Sequence, residues 1–225
     1  MFRIFCLLIG YIFGIFQTAF IYGKLHGIDI REHGSGNAGT TNTLRTLGNK
    51  AGLIVFLGDL LKCIIVVLLC GLIFGKTNPD AKYLIKMYAG LGCIIGHNFP
   101  FYLKFKGGKG IACTGGMVIA FDPWFTLVGI CVFFGIFFTT HYVSLGSICI
   151  YPYILIMEII LGQTGYFKGY TGNPVPQAML TEMYIITFLL LLLTTFMHRE
   201  NIKRLLSHSE RKTFLSKKNK EKNNG

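Results

Sequence analysis

Two stretches of the chain carry residues suited to binding anions. Residues 34–45 read GSGNAGTTNTLR, and residues 96–110 read GHNFPFYLKFKGGKG. In the first, Gly34, Gly36 and Gly39 allow positive φ and close approach of the backbone to a ligand. Successive N–H groups in such a loop form anion-binding nests. Arg45 adds a planar fork matched to phosphate, and Ser35, Asn37, Thr41 and Asn42 add neutral donors. In the second, Gly107, Gly108 and Lys109 precede an apolar run, so backbone donors and a cation gather at a helix start. The GGKG end fails the Walker pattern, because Leu103 stands where glycine is needed and Gly110 follows the lysine. His97 offers either a general base, a phosphate donor or a structural group at the Asn98–Pro100 turn. Neither stretch holds a carboxylate, whereas metal-dependent phosphoryl chemistry needs carboxylates to hold Mg²⁺. The expected chemistry therefore uses anionic substrates held by donors and cations, with no metal, no cofactor and no covalent enzyme intermediate.

Two shorter segments join them. HYVSLGSI at 141–148 places Ser144 and Ser147 one helical turn apart, a spacing also met in simple helix-start capping. HRENIKRLL at 198–206 places His198 and Asn201 on one helix face.

The elements that must position these residues are apolar. The chain has 225 residues, is 52% hydrophobic and only 14% charged. Soluble domains carry about 25% charged residues, and about 20 apolar residues span a bilayer. The expectation is one all-α membrane domain over residues 1–198, with spans near 4–23, 51–74, 83–97, 111–121, 124–140, 145–162 and 179–197. The first is too long for a signal peptide and reads as a retained helix. The fourth is short, and Asp122-Pro123 turns it into the fifth as a hairpin. Placing the N-terminus outside puts sixteen Lys/Arg on the inside and five outside, with Lys62 within a span. The positive-inside rule favours this seven-helix topology with a cytoplasmic C-terminus. All four polar segments then share the cytoplasmic face.

Residues 199–225 form a basic tail with nine Lys/Arg and three Glu. Beside a final span, such a tail points to anionic lipid rather than nucleic acid. Within the spans, Asp59 and Lys62 read as a structural pair beneath the site, and Glu158 has no evident partner. The seven cysteines lie in or beside apolar runs and read as small hydrophobes, without disulfides. The oligomeric state is not legible, and a monomer is compatible with the sequence. An organic-phosphate transporter would use the same cations and glycines, but the chain shows no internal repeat.

At these motifs the sequence resembles the acyl-phosphate-dependent glycerol-3-phosphate acyltransferases of bacterial membranes. GSGNAGTTNTLR and GHNFPFYLKFKGGKGIA resemble the first two motifs of that family, and SLGSI and HRENIKRLL resemble the later ones. Thr40, Cys113 and His208 depart from residues common in the family. The resemblance implies a seven-helix bundle in the bacterial plasma membrane, with its active site facing the cytoplasm. It implies acyl transfer from acyl phosphate to the 1-hydroxyl of glycerol 3-phosphate, giving lysophosphatidic acid and phosphate. Carried over by motif position, the site includes Ser35, Arg45, His97, Lys109, Ser144 and Asn201.

Overall fold

In the computed structural model the described residues are 1–214, and they form an all-helical bundle. Ten α-helices follow in order: α1 Phe2–Gly14, α2 Thr18–Leu25, α3 Thr40–Leu47, α4 Asn49–Phe74, α5 Lys82–Asn98, α6 Ile111–Phe121, α7 Pro123–Thr140, α8 Val143–Gln163, α9 Gln177–Met197 and α10 Arg199–Leu206. Among the described residues, five stretches are long and apolar enough to cross a membrane: the α1–α2 pair, α4, α7, α8 and α9. The 17-residue α5 and the 11-residue α6 rise only about 26 Å and about 16 Å.

The helix expected over 4–23 is broken between Gly14 and Thr18. The cause lies far away in sequence. Lys62 on α4 donates from Nζ to the carbonyls of Gly14 (3.2 Å) and Phe16 (2.5 Å). Gln17, wholly buried, donates from Nε2 to the carbonyl of His97 at 2.7 Å. Unwound backbone inside an apolar bundle persists only where such partners satisfy it.

Glycines set the closest helix crossing. Gly10 and Gly14 of α1 face Gly92 and Gly96 of α5, and a Cβ on any of the four would strike carbonyl oxygen of the opposite helix. Small residues four apart permit this approach in membrane bundles. Gly116 of α6 likewise lies against the Leu60 carbonyl of α4. The shared core of these helices includes Cys6, Cys63, Cys93, Cys113, Ile94 and Met117. The α6–α7 hairpin turns at Asp122, whose Oδ1 accepts from the Trp124 N–H at 2.9 Å, with Pro123 opening α7.

The polar stretch 34–45 is half loop and half helix. Gly34 and Gly36 take φ of +62° and +71°, as expected. Gly39 does not: its φ is −154°, ordinary extended backbone at the cap of α3. Asn42 explains the loop's shape. Its Oδ1 accepts from the Ser35 N–H at 2.8 Å, and its Nδ2 donates to the Ile30 and His33 carbonyls at 2.9 and 3.0 Å.

Candidate active site

One cavity of about 510 Å³ draws on all four polar segments. Ser35, Asn37, Gly39, Thr41, Asn42, Arg45, His97, Lys109, Ser144, His198 and Asn201 all line it. Gly34, Gly36, Gly107 and Gly108 are not on its wall and shape the backbone behind it. A side chain at Gly107 would strike the His97 carbonyl, and one at Gly108 would strike His97 Nε2. The opening residues of α3, α4, α6 and α8 also line the cavity, through Thr40 and Thr41, Asn49, Ile111 and Ala112, and Val143 and Ser144. The N-termini of four helices thus border one volume, which favours anions.

Of the two cations, Lys109 is half-buried and Arg45 is exposed at the cavity mouth. Burial and the nearby Arg204 push the Lys109 amine down to about 8. Partial burial also pulls the Arg45 guanidinium below its ordinary value. His198 falls to about 4, through burial first and the Lys109 charge second, so it is neutral near pH 7. Its Nδ1 lies 2.9 Å from the Thr194 carbonyl, which places the proton on Nδ1 and leaves Nε2 as an acceptor. Lys109 Nζ donates to Asn201 Oδ1, which ties the second polar loop to α10.

The start of the basic tail returns over the site, which sequence reasoning missed. Glu210 accepts from Ser144 Oγ at 3.0 Å, Asn201 Nδ2 at 2.8 Å and Arg204 Nε at 2.7 Å. Burial alone would raise the Glu210 carboxyl, but these hydrogen bonds outweigh it and hold the group below its ordinary value. Arg45 donates from Nη2 to the Arg211 carbonyl (3.0 Å) and Thr213 Oγ1 (2.8 Å). Thr213 N–H in turn donates to the His141 carbonyl at 2.9 Å. The lipid contact expected of the tail beyond Phe214 lies outside the described residues. In a tail of alternating charge, nothing local distinguishes Glu210 from Glu200, which is exposed and pairs with Lys203 at 3.3 Å.

Ser144 does not cap α8, whose cap residue is Tyr142 without a side-chain bond. Beneath the cavity the expected Asp59–Lys62 pair forms at 2.8 Å, and it includes His97, whose Nδ1 lies 3.0 Å from Lys62 Nζ. The imidazole does not hold the following turn. The His97 and Asn98 carbonyls do, accepting from the Gly108 and Gly107 N–H groups, each at 3.1 Å. From this polar floor the cavity continues along Leu53 and Phe56 of α4 and Phe133, Phe134 and Phe137 of α7. It can therefore hold an anionic head at one end and an alkyl chain at the other.

Residues 4–208 match the family model described as glycerol-3-phosphate acyltransferase. The chain belongs to the glycerol-3-phosphate acyltransferase family. It is 38% identical over 217 residues to the glycerol-3-phosphate acyltransferase of Endomicrobium trichonymphae, covering 96% of this chain and 98% of the relative. It is 37% identical over 213 residues to that of Thermoanaerobacter sp. strain X514, covering 94% and 96%. Among solved structures it is similar to PlsY (YgiH), an integral membrane glycerol 3-phosphate acyltransferase. The glycerol 3-phosphate form matches with a TM-score of 0.77 and 32% identity over 94% of this chain and 96% of that one. The lysophosphatidic acid form matches with a TM-score of 0.75 and 31% identity, over 95% and 96%. Membership of this family makes the chain a multi-pass membrane acyltransferase of phospholipid synthesis.

Proposed function

We propose that the protein transfers a fatty acyl group from acyl phosphate to the 1-hydroxyl of glycerol 3-phosphate. The products are lysophosphatidic acid and inorganic phosphate. The observation that carries this reading is the single cavity joining Arg45, Lys109, Ser35 and Ser144 to the apolar wall of α4 and α7. Both substrates present a phosphate to the polar end, and only the acyl donor has a chain for the apolar end. The similar PlsY structures are described as a glycerol 3-phosphate form and a lysophosphatidic acid form, the acceptor and the product of this reaction, which supports the reading.

An acyl phosphate is already activated, so no enzyme nucleophile is required. The glycerol hydroxyl attacks the acyl carbonyl directly. The new ester C–O bond forms, the C–O bond to phosphate breaks, and the hydroxyl proton passes to an oxygen of the departing phosphate. Arg45 and Lys109 bind phosphate oxygens and stabilise charge in the transition state. The two carboxylates on the cavity wall are engaged: Glu210 by three donors, Asp59 by Lys62 and by Thr18 Oγ1 at 2.9 Å. Loops 34–45 and 96–110 supply none, so the reading is metal-free.

The bundle is proposed to cross the bilayer seven times, through α1–α2, α4, α5, α6, α7, α8 and α9. The charge distribution puts the N-terminus outside and the cavity mouth in the cytoplasm. The deciding assay incubates purified protein with glycerol 3-phosphate, EDTA and either acyl phosphate or acyl-CoA. Lysophosphatidic acid should form only from acyl phosphate. Product only from acyl-CoA, or only after a divalent metal is restored, would overturn the proposal.

A further inference from the structure

We infer that Lys62 is a positioning residue: by donating to Nδ1 of His97 it holds the imidazole as the neutral tautomer with its proton on Nε2, aimed at the glycine loop of the phosphate site. This rests on the acyl-transfer reading for its consequence, not for its geometry.

Lys62 Nζ has three defined acceptors and one ring nitrogen around it. These are the Gly14 carbonyl at 3.2 Å, the Phe16 carbonyl at 2.5 Å, Asp59 Oδ1 at 2.8 Å and His97 Nδ1 at 3.0 Å. An ammonium has three protons and no acceptor, so two of these four neighbours share one proton, and the Gly14 carbonyl is the most distant of them. A proton on Nδ1 would point at those protons, so Nδ1 is the side that accepts. Asp59 Oδ1 lies 3.6 Å from Nδ1, beyond a hydrogen bond, and is filled by Lys62 and Thr18. The charged and titratable groups around the ring are Asp59 and Lys62 of α4 and Cys113 of α6. The opposite ring nitrogen faces Gly108, where a Cβ would collide with it. His97 lines the cavity while only 3% exposed.

The ring cannot turn over cheaply. Its own backbone is pinned by Gln17 and by the Gly108 N–H, and its side chain is enclosed. His97 therefore offers a hydrogen-bond donor to a phosphate oxygen, and it cannot take the hydroxyl proton at Nε2. The helix break at Gly14–Thr18 becomes part of the device, because its free carbonyls hold the lysine that sets the tautomer.

The test uses full-length protein labelled with ¹⁵N-histidine in detergent or nanodiscs, without substrate. The His97 signals are assigned by their loss in His97→Gln. At pH 7 the wild type should show a protonated Nε2 and a bare Nδ1. Lys62→Met should move a proton onto Nδ1. It should lower kcat/KM by about ten- to a hundredfold, the range of one hydrogen bond to a charged group, and add an acid-side fall absent from wild type. Lys62→Arg should restore the nitrogen pattern and part of the activity. A wild-type His97 protonated on Nδ1, or on both nitrogens, would overturn the inference. So would a nitrogen pattern unchanged in Lys62→Met. Where Lys62→Met does not fold, the wild-type spectrum still decides. Wild-type protein that transfers no acyl group, yet shows the expected tautomer, would remove the function and leave the positioning role standing.

Discussion

The two halves of the bundle are packed on different principles. In α1, α4, α5 and α6, glycines bring backbone against backbone, and Gly10, Gly14, Gly92, Gly96 and Gly116 leave no room for a methyl group. In α7 the same residue type sits in the open: a Cβ on Gly135 would meet nothing within 4 Å. Trp124, Leu127, Ile130, Phe134 and Phe138 of α7 are exposed at the bundle surface, as a lipid-facing helix allows. The first half fixes small distances, such as those among Lys62, Asp59 and His97. The second adds Phe133, Phe134 and Phe137 to the apolar wall begun by Leu53 and Phe56 of α4, along which the proposed acyl chain would lie. Positional accuracy is needed at the reacting groups, and tolerance is sufficient along an alkyl tail.

The largest expected effect breaks the glycine seam. Gly14→Leu drives side-chain atoms into the Cys93 backbone and should cost at least about 3 kcal/mol, above the usual range for overpacking because backbone cannot yield. Size-exclusion and thermal unfolding in detergent should show little folded protein. Gly135→Leu in α7 should leave the unfolding temperature almost unchanged. Equal damage from both would erase the contrast between the halves.

Next comes the cationic end. Arg45→Ala should lower kcat/KM about ten- to a hundredfold with folded yield retained, since one charge-assisted bond is worth roughly 1.5–3 kcal/mol. A change below twofold would remove Arg45 from the site.

Lys109 gives a pH signature. A lysine lowered to about 8 is charged below that pH and neutral above it. With the proposed role, the free enzyme would lose a phosphate-binding cation as pH rises, and kcat/KM should fall through about pH 8. Lys109→Arg should move that limb well upward. An unchanged alkaline limb in the arginine variant would assign it to another group.

The smallest effect belongs to the wall. Phe134→Ala should change the preference between long and short acyl phosphates by only a few-fold, with kcat for the preferred chain nearly kept. A collapse of activity with every chain would mean that α7 positions the reaction rather than accommodating the tail.

Most of this fold is legible in the sequence because bilayer solvation writes it in long apolar runs. The expected spans at 51–74, 111–121 and 145–162 lie within two residues of α4, α6 and α8. The break at Ile15–Gln17 was not legible, because Lys62, about 45 residues away, is what satisfies the open backbone. Eleven of the residues that line the cavity were legible because their types match anion chemistry and they fall in four polar segments between apolar runs. Glu210 and Thr213 were not, since their partners are set by a chain reversal after α10 that no local pattern encodes. Asn42 shows a subtler gap. Its type suggests a ligand donor, but its amide makes three bonds that build the loop.

The central claim is direct, metal-free attack by the acceptor hydroxyl on the acyl phosphate. Rapid-quench kinetics with excess enzyme, ³²P-labelled acyl phosphate and glycerol 3-phosphate in EDTA tests it most directly. Phosphate and lysophosphatidic acid should form together at one rate, with no acyl group on the protein. A burst of phosphate ahead of product, or acylated protein on denaturing gels, would contradict the account.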